Sequence, residues 1–238
     1  MPSESRKARA AAARKAMERA RQQERRQRRL IFGAAIGLAV AVIVAVSLVV
    51  SFDHPGSPAS ARSAARSIPA TPLTTAQGRT EQPPWSAPAE TTTQVRAAGL
   101  PMLDAEGTVE HIHAHLDVIV DGKPVVVPAQ LGIDQATGEI SPLHTHDTTG
   151  VLHIESPVQA DFSLGQLFTE WQVALSDNQI GGLHAGDGKV LQAYVNGKAV
   201  TGNPAGIIMH AHDEIAIVYG TAAQQANPPS SYAFPAGD

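Results

Sequence analysis

The sequence predicts an α+β protein: a single N-terminal transmembrane helix, a disordered stalk, and a small, mostly antiparallel or mixed β-sheet domain with one short covering helix. Three observations predict it. Residues 30–52 form one uncharged apolar run. Residues 53–98 are rich in Pro, Ala, Ser and Thr and show no apolar period. Residues 99–222 combine stretches of two-residue apolar alternation, tight-turn dipeptides and one helical stripe.

Leu30–Phe52 holds 23 residues without a charge. As a helix it reaches about 34 Å, enough for a hydrocarbon core of about 30 Å. Residues 1–29 carry eleven Lys/Arg against three Glu, and Arg25, Arg26, Arg28 and Arg29 abut the run. The far flank opens with Asp53 and has no Lys or Arg until Arg62. The positive-inside rule then expects a single-pass anchor with residues 1–29 as a basic cytoplasmic arm and the C-terminal domain outside the cytoplasm. A cleaved signal peptide is the competing reading, because Ala59-Ser60-Ala61 resembles a cleavage site, but signal cores run about 7–15 residues. The expected partners are the lipid bilayer and, for the arm, anionic lipid. Gly33 and Gly37 make the GxxxG spacing of a helix pair, a weak pointer to a homodimer.

The stalk, residues 53–98, lacks the apolar content to offset chain entropy and reads as disordered, as does a flexible tail at 223–238. Between them lies the extracytoplasmic domain. His111–Val120 alternates, with Ile112, Ala114, Leu116, Val118 and Val120 on one face and His111, His113, His115, Asp117 and Ile119 on the other. Asp121-Gly122 is a type I′ turn signal leading into a returning strand at Val125–Val127. Gly150–Glu155 is a further strand. Ser163 and Gln166 make a capping-box pattern before a short helix, Leu164–Trp171, whose Leu164, Leu167, Phe168 and Trp171 form one stripe. Lys189–Val195 and Lys198–Val200 flank Asn196-Gly197 as a hairpin, and Glu214–Tyr219 is the last strand.

Of the ten His, nine fall between residues 111 and 212. They come as His111-x-His113-x-His115, as His144-x-His146 followed by Asp147, as His153 and His184, and as His210-x-His212 followed by Asp213. On a strand, i and i+2 imidazoles share a face about 6.5–7 Å apart and their rings can converge on one ion. Imidazole suits copper and zinc, and zinc sites often take three His. The candidate ligands are His113, His115, His144 and His146, with His153 next and His111, His210 and His212 after them. Asp147 and Glu155 are candidates to hold an imidazole tautomer or to supply an oxygen ligand. A metal-free reading stands beside this one: neutral imidazoles donate and accept, and a row of them can hold a polar sheet face through hydrogen bonds. The chain has no Cys, which excludes disulfides, thiol catalysis and Cys-ligated zinc. Aromatic residues are only 4%, which argues against a base-stacking nucleic-acid surface. No GxSxG, HExxH, Walker A or GxGxxG motif supports a named reaction.

Two resemblances follow from these residues. The last third, VLQAYVNGKAVTGNPAGIIMHAHDEIAIVYG, resembles the ending of β-grasp, ubiquitin-like domains, which implies a β-grasp-like close. The stretch from VEHIHAHLDVIVDGKPVVVPAQLGID through PLHTHDTTGVLHIESP and FSLGQLFTEW to VYG resembles a family of uncharacterised prokaryotic proteins. That resemblance implies a single N-terminal anchor and a small exported His-containing domain. It also implies a Cys pair near Ile180–Asp187, where this chain has Gly181, Gly182 and His184. The expected function is a membrane-tethered extracytoplasmic metal-binding module, for copper or zinc. The alternatives are a non-catalytic β-grasp-like interaction module with a hydrogen-bonded His face, and a metal-dependent hydrolase.

Overall fold

A computed structural model describes residues 67–235. The expected basic arm, the apolar run Leu30–Phe52 and the first part of the stalk lie outside the described residues. Among the described residues, no helix is long and apolar enough to cross a membrane.

The domain is built on a seven-stranded mixed sheet. Its strands are β1 (Glu110–Val120), β2 (Lys123–Val125), β5 (Leu143–His144), β6 (Val151–Ser156), β9 (Lys189–Val195), β10 (Lys198–Val200) and β11 (Glu214–Thr221). The order is β10-β9-β11-β1-β6-β5, with β2 also on β1. Two small two-stranded ribbons, β3 (Ile133–Asp134) with β4 (Glu139–Ile140) and β7 (Gln179–Ile180) with β8 (Leu183–His184), stand apart from the sheet.

Strand β1 is the axis, and it divides its neighbours along its length. Residues 110–115 pair antiparallel with β6, residues 118–120 pair antiparallel with β2, and residues 115–120 pair parallel with β11. Alternation assigns the two faces. Ala114, Leu116 and Val118 are buried in the main core with Leu152 and Ile154 of β6 and with Ile215 and Ile217 of β11. The other face carries the histidines of β1, then Glu214, Ala216 and Val218 of β11. Both two-residue hairpin turns take the left-handed backbone that a type I′ turn requires, Asp121-Gly122 at φ 52° and 76° and Asn196-Gly197 at 52° and 75°. Strand β2 starts directly after the first of these turns, two residues earlier than its apolar run suggests.

The expected layering needs correction. The sequence predicts one covering helix above a disordered stalk, but the chain has two short helices, and residues 67–98 are folded onto the core. Helix α1 (Thr91–Ala97) buries Val95, and α2 (Leu164–Glu170) is buried on every side. Ala76, Trp85, Val95 and Ala98 belong to the main core. Trp85 and Trp171 meet edge to face, with ring centroids 5.8 Å apart, and the Trp171 indole N–H donates to the Trp85 carbonyl at 3.0 Å. Short backbone bridges, Ala76 with Leu175 and Arg79 with Val173, satisfy part of the segment's polar backbone. Gly181 shows how close this packing is: a Cβ there would lie 2.4 Å from the Trp85 ring. Helix α2 is therefore an interior layer, with the sheet on one side and residues 67–98 on the other. The polar side chains of LGQLFTE, Gln166, Thr169 and Glu170, share one face at i, i+3 and i+4, yet all three are buried and satisfied from within: Gln166 donates to the Ala98 carbonyl, Thr169 to the Gly165 carbonyl, and Glu170 accepts from the Ser141 hydroxyl.

The β-grasp-like ending also needs correction. The sheet continues past β1 through β6 and β5, and the chain after β11 is not a loose tail. It makes a 3-10 turn at Ala222–Gln225 and returns over the sheet, where Tyr232 stacks on His115 with centroids 3.8 Å apart.

The helix start gives a direct test of this layering. Ser163 and Gln166 form the reciprocal capping box, and the Ser163 hydroxyl also donates to the Leu73 carbonyl. Ser163→Ala removes both contacts. It should cost about 1–2 kcal/mol, read by urea unfolding. It should also speed proteolysis within residues 67–98, which a cap acting on the helix alone would not do.

Candidate metal centre

The histidine face gathers at the β1–β6–β5 corner because of register. His113 lies opposite His153, His111 opposite Glu155, and His144 opposite His153. Opposed residues of antiparallel strands share a face, so His111, His113, His144, His153 and Glu155 all project to one side. His146 follows β5 and reaches back to the same place.

The ligand atoms of His144, His146, His153 and Glu155 all lie within 4.8 Å of one another, and so do those of His111, His113 and Glu155. The shortest contacts are His113 Nε2 to His153 Nδ1 at 3.0 Å, His153 Nδ1 to Glu155 Oε1 at 3.1 Å, and His144 Nε2 to His146 Nε2 at 3.3 Å. The last spacing has a chemical meaning. Two nitrogens about 2.0–2.1 Å from a tetrahedral zinc sit about 3.3–3.4 Å apart.

Burial grades across the group. His144 is fully buried, and His113 and Glu155 are each 3% exposed. The His146 and His111 side chains are 43% and 50% exposed and form a rim open to solvent. His144 is the best prepared ligand. Its Nδ1–H donates to the Ser141 carbonyl at 3.0 Å, which leaves the Nε2 lone pair facing His146 and Glu155. Burial lowers its pKa to about 4, with the neighbouring His153 and His146 acting in the same direction and Glu155 opposing. It is thus a neutral imidazole at any pH above about 5.

Glu155 is the common member. Burial works against its charge. The hydrogen bond from His153 and the charges of His144, His111 and His153 outweigh burial and hold its pKa below the ordinary carboxylate value. Its Oε1 faces His153, His111 at 3.5 Å and His113 at 3.9 Å. Its Oε2 is buried, has no hydrogen-bond partner among the described residues, and lies 4.0 Å from His144 Nε2. A buried ionised oxygen without a partner is costly, and a cation is one way to satisfy it.

The other sequence candidates go elsewhere. His115 is turned away from the corner, with Nδ1 2.7 Å from Glu214 Oε2 and Nε2–H donating to the Thr149 carbonyl at 2.8 Å. Burial lowers its pKa, but the Glu214 hydrogen bond and charge and the Thr149 carbonyl more than reverse this, so the pKa is raised. Both His115 nitrogens are already engaged, by Glu214 and by the Thr149 carbonyl, in a third His/carboxylate group with Asp117 and Glu214. Asp147 is exposed and accepts from the Thr149 backbone N–H and hydroxyl, which lower its pKa; it shapes its own loop. His210 is 74% exposed and sits 3.4 Å from Asp213, and His212 packs on Phe234. His184 is exposed on the β7–β8 ribbon. Sequence reasoning missed Ser141, whose only signal is its place three residues before His144. It also missed Glu106, 3.7 Å from His146, which no spacing announces.

The fold and the corner together define a mixed-sheet domain with His/Glu groups geometrically able to bind a metal ion. Comparison of the chain with protein-family models, with curated proteins and with solved structures gives no match.

Proposed function

We propose that this domain is a metal-binding module that takes a divalent transition-metal cation, zinc or copper, on His144, His146, His153 and Glu155. The observation that carries the reading is the buried Glu155 Oε2, unpartnered among the described residues and facing an imidazole whose free lone pair is fixed by Ser141. The three imidazoles and one carboxylate suit a borderline cation better than calcium or magnesium, which prefer all-oxygen shells. The solvent-facing rim at His146 lets an ion load and leave without unfolding.

The test is direct. The full chain, stripped with chelator and titrated with Zn(II) and separately with Cu(II), should bind at micromolar or tighter affinity and melt at a higher temperature when loaded. A chain that takes up neither ion and melts at the same temperature with and without chelator leaves a second reading. In that reading the 3.0 Å and 3.3 Å imidazole contacts are hydrogen bonds that hold a polar sheet face without metal.

A further inference from the structure

Glu155 is placed for more than one ion. Its two oxygens face different imidazoles, Oε2 that of His144 and Oε1 those of His111, His113 and, nearest at 3.1 Å, His153. Oε2 faces His144, which is paired with His146. Oε1 faces His111 and His113 on the neighbouring strand, and His153 stands between the sets with Nδ1 3.0 Å from His113 Nε2. We propose that His111 and His113 hold a second divalent transition-metal ion beside the first, with the Glu155 carboxylate bridging the two. This rests on the metal-binding reading above and adds a site to it.

Three physical points carry the step. First, ligands of one ion about 2.1 Å from each donor cannot be more than about 4.2 Å apart. Five donors on three strands, with His146 just after β5, gather as two groups that share Glu155 and not as one group of six, so two ions divide them naturally. Second, a carboxylate reconciles two cations at about 3.5–4 Å because its charge is shared between them, and two-metal sites of that spacing recur in proteins. A buried Glu with imidazoles against each oxygen is the donor such a bridge needs. Third, the second group is accessible: His111 is half exposed, while His113 and Glu155 form a buried floor. An ion entering from solvent meets one exposed ligand and two buried ones. Both ions would be of the same borderline class, since each set is made of imidazole and carboxylate.

The experiment is a stoichiometry series on the purified full chain, with Zn(II) as the probe in equilibrium dialysis and Cu(II) as the probe in electron paramagnetic resonance. The wild-type chain should take two equivalents of Zn(II), and the two-copper form should show a signal broadened by coupling between neighbouring ions. His111→Ala/His113→Ala should bind one equivalent and give an isolated copper signal. His111→Ala alone, at a half-exposed position that leaves the core intact, should weaken the second equivalent at least tenfold. Glu155→Gln should weaken both equivalents. One equivalent in the wild-type chain overturns the second ion and leaves the single-ion reading standing. Two equivalents that survive the double substitution overturn the assignment to His111 and His113. Unchanged affinity for both ions in Glu155→Gln overturns the bridge. No bound metal in any form overturns both readings.

Discussion

His144→Ala should lower Zn(II) affinity by at least about 100-fold. Loss of a group that merely supports a ligand already costs about 10–100-fold, and His144 is itself the ligand whose lone pair is fixed by Ser141. His146→Ala should cost less, because His146 is exposed and its place can be taken by water. The order of the two effects is diagnostic, since a generic His-rich surface would lose affinity equally at either position. The metal-free chain offers a second readout. With a folded pKa of about 4 against an ordinary 6.5, His144 stays neutral in the fold while the unfolded chain takes up a proton. Its contribution is therefore complete above pH 6.5 and is lost as pH falls towards 4, a difference on the order of 3 kcal/mol. Wild type should lose stability over that acid window more steeply than His144→Ala. Parallel urea-unfolding curves for the two, between pH 4 and 6.5, would show that His144 is not buried as a neutral ring.

How much of this was legible in the residues depends on the range of the signal. The faces of β1 are local, since a period of two fixes which side chains point inward, and Ala114, Leu116 and Val118 do so. The two turns are local as well, because Asn-Gly and Asp-Gly need only their own backbone. What gathers the histidines is not local. His111, His113 and His115 are equivalent in sequence, yet antiparallel pairing with β6 puts the first two beside His153 and Glu155. The parallel pairing with β11 gives the third to Glu214. No property of HIHAH encodes which strands will flank it. The stalk fails for a different reason. Mean composition over residues 53–98 is polar, but burial is decided by single residues: Ala76, Trp85, Val95 and Ala98 enter the core, and Arg79 bonds the Trp171 and Gln172 carbonyls. A Pro- and Thr-rich segment can lie extended on a surface that already supplies the apolar partner, here α2. The local pattern of α2 points the other way, because Gln166, Thr169 and Glu170 line up as a solvent face would and are instead buried under that segment and the loops.

The same burial of α2 creates the second large effect expected. Glu170, at the end of that helix, is 1% exposed; among the described residues only the Ser141 hydroxyl donates to it, at 2.6 Å to Oε1, and Oε2 has no partner. Burial pushes its pKa up to about 8, with the Ser141 hydrogen bond pulling weakly the other way. The sign follows from linkage. Between the ordinary value of 4.5 and about 8 the unfolded chain releases a proton that the folded chain keeps. Stability must therefore fall as pH rises through that window and level off above it. The full excursion is on the order of 4–5 kcal/mol, a large share of the roughly 5–15 kcal/mol that holds a domain together. Glu170→Gln keeps the shape and an oxygen for the Ser141 hydroxyl but cannot ionise. It should be more stable than wild type at pH 8 by several kcal/mol, with the difference shrinking towards zero or reversing near pH 5. Because His144 acts with the opposite sign, the wild-type chain should be most stable between the two, and each substitution should move that optimum in its own direction. Urea unfolding of both variants from pH 4 to 9 measures this, and a Glu170→Gln curve parallel to wild type would mean that Glu170 is ionised in the fold. A charge there would sit beside the hydroxyl of the residue whose carbonyl fixes His144, so the same titration would then be felt at the metal corner.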